Sequence, residues 1–125
     1  MLTGREWKLG KSGRSAFTLD LRMSTIGGRY ATPVNLSASI AAGREILDET
    51  KYNSVQLDEY LRLDTKFGYR VNSKRKKLSQ TFYLDLQNVT NKENIFLRRY
   101  NPVSATTGNV NQIGFFPDVL YRLQF

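Results

Sequence analysis

The chain contains no cysteine and no histidine. The first absence excludes a disulfide framework and thiolate chemistry; the second removes the commonest general base and metal ligand, so most enzyme mechanisms lose their usual proton carrier. No apolar run approaches the ~20 residues of a membrane-spanning helix, and Met1-Leu2-Thr3-Gly4-Arg5-Glu6 offers no apolar core for a secretory signal. Contact with a membrane would therefore fall to strands, with an export segment expected upstream of Met1. Acidic residues are also in short supply: eleven Asp and Glu face nineteen Lys and Arg, a formal charge of +8 over 125 residues. Such a balance suits nucleic acid or an anionic surface. However, Lys8, Lys11, Arg14 and the run Lys74-Arg75-Lys76-Lys77 lie at turn-like breaks, where charge is ordinarily solvated.

What the chain does contain is alternation. From Ala16, Phe17, Leu19, Leu21 and Met23 fall on one side and Thr18, Asp20, Arg22 and Ser24 on the other. From Tyr60, Leu61, Leu63, Phe67, Tyr69 and Val71 oppose Arg62, Asp64, Lys66, Gly68 and Arg70. A third segment sets Leu78, Phe82, Leu84 and Leu86 against Ser79, Thr81, Tyr83, Asp85 and Gln87, and the last sets Val119, Tyr121, Leu123 and Phe125 against Asp118, Arg122 and Gln124. The spacing predicts an all-β antiparallel meander with strands at about 16–26, 60–71, 78–89 and 115–125. Residues 4–15, with three glycines among basic and hydroxyl residues, read as a turn region. Asn35 is placed to cap a short helix over Leu36–Leu47, interrupted by Gly43.

Connection lengths then separate architectures. They run short, long, short, long, the long ones at about 27–59 and 91–114 and the tight polar turn at 72–77. Loops above ~12–15 residues are uncommon in compact soluble domains, whereas short turns at one end of a sheet and long loops at the other are the habit of outer-membrane barrels. Strands that hold phase for about eleven residues agree, since a tilted membrane strand needs ~9–11. Aromatic residues gather near both ends, Tyr69, Phe82, Tyr83 and Phe125 by the short turns and Tyr30, Tyr60, Phe115 and Phe116 by the long loops, as two interfacial girdles require.

The segments Gly27-Gly28-Arg29-Tyr30-x-x-Pro33, Tyr60-Leu61-Arg62-Leu63-Asp64, Leu84-Asp85-Leu86-Gln87-Asn88-Val89-Thr90-Asn91 and Gly114-Phe115-Phe116-Pro117, followed by Tyr121-Arg122-x-x-Phe125, resemble the C-terminal end of TonB-dependent outer-membrane receptors, those of Bacteroidetes-type bacteria above all. The resemblance spans nearly all of residues 1–125 and implies the last four strands of a transmembrane barrel that has 22 strands in the intact protein, with a plug domain and a TonB-contacting segment ahead of it. It implies a location in the bacterial outer membrane and uptake of a scarce nutrient, a metal chelate or glycan, by the whole transporter. The implied partners are outer-membrane lipid, the rest of the barrel and its plug, the TonB complex, and the barrel-assembly machinery, which would read Tyr121, Leu123 and Phe125. The long loops, with Gly27, Gly28, Arg29, Tyr30 and Pro33, would face the exterior.

Polar strand positions carry the remaining expectations. Asp20, Arg22, Arg62, Asp64, Lys66, Asp85 and Arg122 are expected to face the lumen, with the carboxylates in cross-strand ion pairs rather than in catalysis. Asp48, Glu49, Asp58 and Glu59 match no Ca²⁺-loop spacing and read as solvated loop charge. No catalytic residue, metal site or cofactor is expected. The competing reading is a small soluble basic β domain that binds nucleic acid with Tyr and Phe as stacking platforms; its apolar strand faces lack any amphipathic helix to cover them.

Overall fold

The structure, a computed structural model, describes residues 1–73 and 77–125. It is all-β in class, with 57% of residues in strands and 8% in helix. In chain order the strands are β1 (Leu2–Leu9), β2 (Ser15–Ile26), β3 (Tyr30–Ala31), β4 (Val55–Gln56), β5 (Tyr60–Asn72), β6 (Ser79–Gln87), β7 (Ile95–Asn101), β8 (Thr106–Asn111) and β9 (Phe116–Gln124), with one helix, α1 (Leu36–Ala42). They fall into two compact units. The first comprises Met1–Ser24, Arg62–Lys92 and Gly114–Phe125, the second Thr25–Leu61 and Glu93–Ile113.

The first unit is a five-stranded sheet in the order β1-β2-β5-β6-β9. The β1–β2, β5–β6 and β6–β9 pairings are antiparallel, with Trp7 opposite Phe17, Tyr69 opposite Phe82 and Phe82 opposite Tyr121. The β2–β5 pair runs the same way, because the Asn72 N–H donates to the Arg14 carbonyl at one end while Arg22 meets Asp64 at the other. Each strand forms because its period of two gives it one face that avoids water and one that does not. The register then lines those faces up, so that Thr18, Asp20 and Arg22 share a side with Asp64, Lys66, Gly68 and Arg70, with Thr81, Tyr83 and Asp85, and with Asp118 and Arg122.

Residues 4–15 depart from expectation. Only the Gly10–Arg14 end is a turn, closed by the Gly13 N–H on the Gly10 carbonyl, and Leu2–Leu9 is a strand paired along its whole length with β2. Its alternation is masked in the sequence by Arg5, which lies on the apolar side between Thr3 and Trp7. The sheet accordingly has five strands where four were expected. The polar turn expected at 72–77 lies partly outside the described residues; at its base the Ser73 N–H donates to the Leu78 carbonyl at 2.8 Å.

The two long connections are structured in themselves and form the second unit. In one, β3 pairs with β4, and α1 starts where the Asn35 side chain accepts the Ala38 N–H at 3.1 Å. The helix stops at Ala42 and does not reach Leu47, because Gly43 takes a left-handed conformation (φ 64°) and returns its N–H to Ile40. Ser39, fully buried, exchanges hydrogen bonds with both backbone groups of Ile46. Asp48 caps the short 3-10 turn Glu49–Lys51, where the Thr50 hydroxyl, helped by Lys51, holds its carboxyl below the usual carboxylate range. The other connection is a β7–β8 hairpin whose base is clasped by Asn94: its side-chain amide donates to the Leu61 carbonyl and accepts the Leu61 N–H, imitating a strand neighbour.

Packing on the charged side of the sheet is tight at Gly68, where a Cβ would run into the Thr18 hydroxyl and the Tyr83 ring. Gly68→Ala should therefore cost about 1–3 kcal/mol through overpacking. Gly108→Ala, where a Cβ meets nothing within 4 Å, serves as the neutral control. Urea titration followed by sheet circular dichroism reads both, and equal midpoints for the two variants would contradict the close approach.

Candidate functional site

The charged face of the five-stranded sheet is built around one carboxylate. Asp64 lies on β5 and is only 5% exposed, which would be costly for an unpaired ion. Its Oδ2 accepts Arg22 Nε from β2 at 2.9 Å, and its Oδ1 accepts Arg62 Nε at 2.7 Å and the Asn88 N–H at 2.8 Å. Arg62 continues to Gln87 Oε1 at 2.7 Å. Two strands and the turn after β6 thus converge on Asp64, whose lone pairs are satisfied by donors of complementary charge and by a backbone dipole.

The turn belongs to the same construction. Asn88, 2% exposed, and Asn91 both have φ near 50°, a conformation that Asn adopts with less penalty than most residues. Asn88 Nδ2 donates to the Lys92 carbonyl and Asn88 Oδ1 accepts the Thr90 hydroxyl. The Val89 N–H goes to the Leu63 carbonyl, and Asn91 Oδ1 accepts the Phe115 N–H at 2.8 Å as the chain turns into β9. The stretch Gln87-Asn88-Val89-Thr90-Asn91 is therefore a clamp tying β5, β6 and the start of β9 together.

All seven residues expected on a polar face share one side of the sheet, but their partnerships differ from the expectation. Asp64 takes both Arg22 and Arg62, while Asp20 and Asp85 have no ion pair among the described residues. Lys66 and Asp85 are directly opposite, yet the Lys66 ammonium sits 4.6 Å from the centroid of the Tyr83 ring. The Arg122 guanidinium approaches the same ring at 5.9 Å from β9. Arg70 reaches Glu6 of β1 at 2.8 Å, a pair that sequence spacing could not suggest because Glu6 was read as part of a turn. Leu2, Thr3, Gly4, Asp20, Arg22, Asp64, Lys66 and Asp85 line a cavity of about 550 Å³ on this face. Among the described residues no group of three or more His, Cys, Asp or Glu is arranged to hold a metal ion.

The opposite face carries the aromatic residues in a row. Trp7 and Phe17 have ring centroids 5.8 Å apart, Phe17 and Phe67 6.3 Å, and Phe82 and Tyr121 4.8 Å, with Tyr69 directly opposite Phe82. A belt thus crosses all five strands at nearly one height, toward the short-turn end. Tyr69 and Phe82 belong to it as expected. Tyr83 does not, because it lies on the charged face, and Phe116 is opposite Gln87 on that same face. Trp7, Phe17, Phe67 and Tyr121 are the members that the expected girdle lacks; their common height follows only from the register. Leu123 is opposite Gln80 on the belt's face, and Phe125, just past β9, is 97% exposed. Leu120 breaks the alternation of β9 by lying opposite Tyr83. Gly27, Gly28, Arg29, Tyr30 and Pro33 belong to the second unit, where Tyr30 pairs with Gln56.

Comparison with known proteins finds no matching protein-family model, no similar curated protein and no similar solved structure.

Replacing Asp64 by Ala takes one acceptor from Arg22 and from Arg62 and leaves the buried Asn88 N–H unsatisfied, so the loss should be about 2–3 kcal/mol. Glu6→Ala, which breaks the more exposed pair with Arg70, should cost no more than ~1 kcal/mol. Urea unfolding midpoints measured side by side test the ranking; a larger loss for Glu6→Ala would remove Asp64 from the centre of the network.

Proposed function

We propose that this chain is a section of wall from a bacterial outer-membrane β-barrel of the TonB-dependent receptor type, acting within a larger transporter that takes up a scarce nutrient such as a metal chelate or a glycan. The observation that carries the reading is the inverted polarity of the five-stranded sheet. Its buried residues Ala16, Asp64, Gly68 and Thr81 lie on the charged face, whereas no residue of the apolar face is buried: Phe17, Leu19, Leu21, Leu61, Leu63, Phe67 and Leu86 are half-buried, and the more open ones run from Trp7 at 37% exposed to Val119 at 74%. A sheet in water has the opposite arrangement, apolar side chains inward against a second layer. Lipid outside and a polar lumen inside reverse it. The aromatic belt at one height is the further support, because Trp and Tyr rings settle at a membrane–water interface. At 13 residues β5 exceeds the ~9–11 that a tilted strand needs to cross.

In this reading the apolar face meets outer-membrane lipid, and the face around Asp64, with Asp20, Arg22, Arg62, Lys66, Asp85 and Arg122, meets the lumen and the plug. The TonB complex acts through the intact receptor. Tyr121, Leu123 and Phe125 are offered to the barrel-assembly machinery, and the long loops at about 27–59 and 91–114 face the exterior. The nucleic-acid reading has less support, because a stacking platform needs rings among cations, and the belt lies on the face away from Arg22, Arg62 and Arg122.

Trp7 is the single tryptophan, so its emission reports on the belt alone. In lipid vesicles Trp7 should be quenched by lipids brominated near the headgroup, less by lipids brominated at the acyl ends, and little by aqueous iodide. Quenching by iodide with no effect of brominated lipid would sink the membrane reading. In the same preparation Leu84→Arg should cost about 2–4 kcal/mol on the lipid face, and Asp85→Asn, one residue along and facing the lumen, close to nothing.

A further inference from the structure

We infer that the outer edge of β9 is a self-complementary docking edge, on which a second copy of this chain pairs its own β9 in antiparallel register about Leu120. The order β1-β2-β5-β6-β9 leaves β9 with β6 on one side and, among the described residues, no strand on the other. Every residue from Phe116 to Gln124 is exposed. An edge of this kind presents a row of backbone N–H and C=O groups to any extended chain that fits it. Such edges are commonly guarded by a bulge or a short length. By contrast, β9 keeps an unbroken register against β6 over nine residues, and its Pro117, which has no N–H to give, lies near one end.

The residues of β9 decide which partner fits. Directly opposite residues of an antiparallel pair share a face, so two copies keep their apolar faces on one side only if the numbers of the paired residues add to an even sum. The nine residues of β9 have their midpoint on Leu120, and pairing about it overlaps the whole strand. In that register Asp118 of each copy meets Arg122 of the other, giving two ion pairs on the charged face, and Val119 meets Tyr121 on the apolar face. Moving the centre to Val119 or Tyr121 keeps the faces but loses both charge pairs. The other edge, β1, lacks this property. Its eight residues have their midpoint between Arg5 and Glu6, so full overlap turns one copy over, and the nearest registers that keep the faces set Arg5 against Arg5 or Glu6 against Glu6. Nor do β9 and β1 suit each other. Because all five strands are antiparallel to their neighbours, the two edges run in the same direction and would join in a parallel ladder, slightly weaker per residue.

This goes beyond the barrel-wall reading and does not rest on it: a closed wall would give the same edge to a further strand, whereas the full chain by itself in zwitterionic detergent, or in plain buffer should it stay soluble there, has the edge free. A nine-residue ladder is a small interface, so a dissociation constant on the order of 10–100 µM is expected, read by light scattering coupled to size-exclusion chromatography. The chain has no cysteine, so one introduced thiol reports on one position. Leu120→Cys should oxidise to a covalent dimer, because the pairing sets residue 120 against its own copy within disulfide reach, and Arg5→Cys on β1 should stay monomeric. Asp118→Arg and Arg122→Asp should each weaken the dimer about tenfold, by setting like charges opposite each other twice. Mixed together, the two variants should recover a dimer of parental strength, since each cation then faces a carboxylate. Should either charge variant misfold, the comparison of Leu120→Cys with Arg5→Cys decides alone. A parent chain that stays monomeric at ~0.5 mM, a Leu120→Cys chain that cross-links no better than Arg5→Cys, single charge variants that dimerise as the parent does, or folded variants whose mixture recovers nothing would each overturn the proposal.

Discussion

One antiparallel register, kept across five strands, is the constraint on which the rest of the first unit depends. A strand has a period of two, so a slip of one residue in β5 would exchange Asp64 and Lys66 for Leu63 and Thr65 on the charged face and turn the whole strand over. Asp64 is the pin against that slip. It takes Arg22 from one neighbouring strand and the Asn88 N–H from the end of the other, and a displaced β5 would leave both without an acceptor. Gly68 acts four residues along the same face, where Thr18 and Tyr83 close over a position that admits no side chain. The aromatic belt follows from these two points. With the register fixed, Tyr69, Phe82 and Tyr121 have to lie side by side.

Much of the sheet was legible from alternation, and its failures have definite causes. β2, β5, β6 and β9 were legible because each carries three or more large apolar residues in phase. β1 was missed because Arg5 interrupts its apolar side and Gly4 and Gly10 imitate turn chemistry, although pairing with β2 outweighs both. The helix was expected to end at Leu47 and ends at Ala42, since Gly43 is a stop signal that apolar spacing ignores. The β7–β8 hairpin went unseen: Ile95, Leu97 and Val110 are too few to outline strands whose faces are mostly exposed. As for the charged face, its membership was readable by counting twos, but its partnerships were not. Which of three carboxylates takes two arginines depends on register and on the backbone N–H of Asn88, and neither has a signature in spacing. The Asn88-Val89-Thr90-Asn91 stretch did stand out as distinctive, and its distinctiveness proves structural: two Asn residues at positive φ and a closed set of hydrogen bonds.

The open apolar face sets the energetic terms for the sheet. Each large side chain left in water forgoes about 1.5–3 kcal/mol that burial would supply, and whole domains are stable by only ~5–15 kcal/mol. Trp7, Met23, Tyr69, Phe82, Leu84, Val119, Tyr121 and Leu123 are all more than a third exposed there, so this face needs an apolar neighbour to be worth its ordering entropy. In the proposed barrel wall, lipid would be that neighbour, and it demands no shape complementarity from a face of mixed rings and aliphatic chains. Arg5 is the one charged strand residue on this side. Its guanidinium lies 5.5 Å from the centroid of the Trp7 ring, at the height of the belt, where under the proposed membrane reading a long cation would reach headgroups while its stem stayed in the apolar layer.

The two units use their arginines differently. On the sheet, Arg22, Arg62 and Arg70 are matched to Asp64 and Glu6, so their charge is spent inside the protein on holding strands in place. In the second unit the backbone is held by other means: the β3–β4 and β7–β8 pairs, the Asn94 clasp on Leu61, the Ser39 exchange with Ile46 and the Glu45 carboxylate on the Tyr100 N–H. Glu45 is the telling residue. Its carboxylate is engaged by a backbone donor and pairs with no arginine among the described residues.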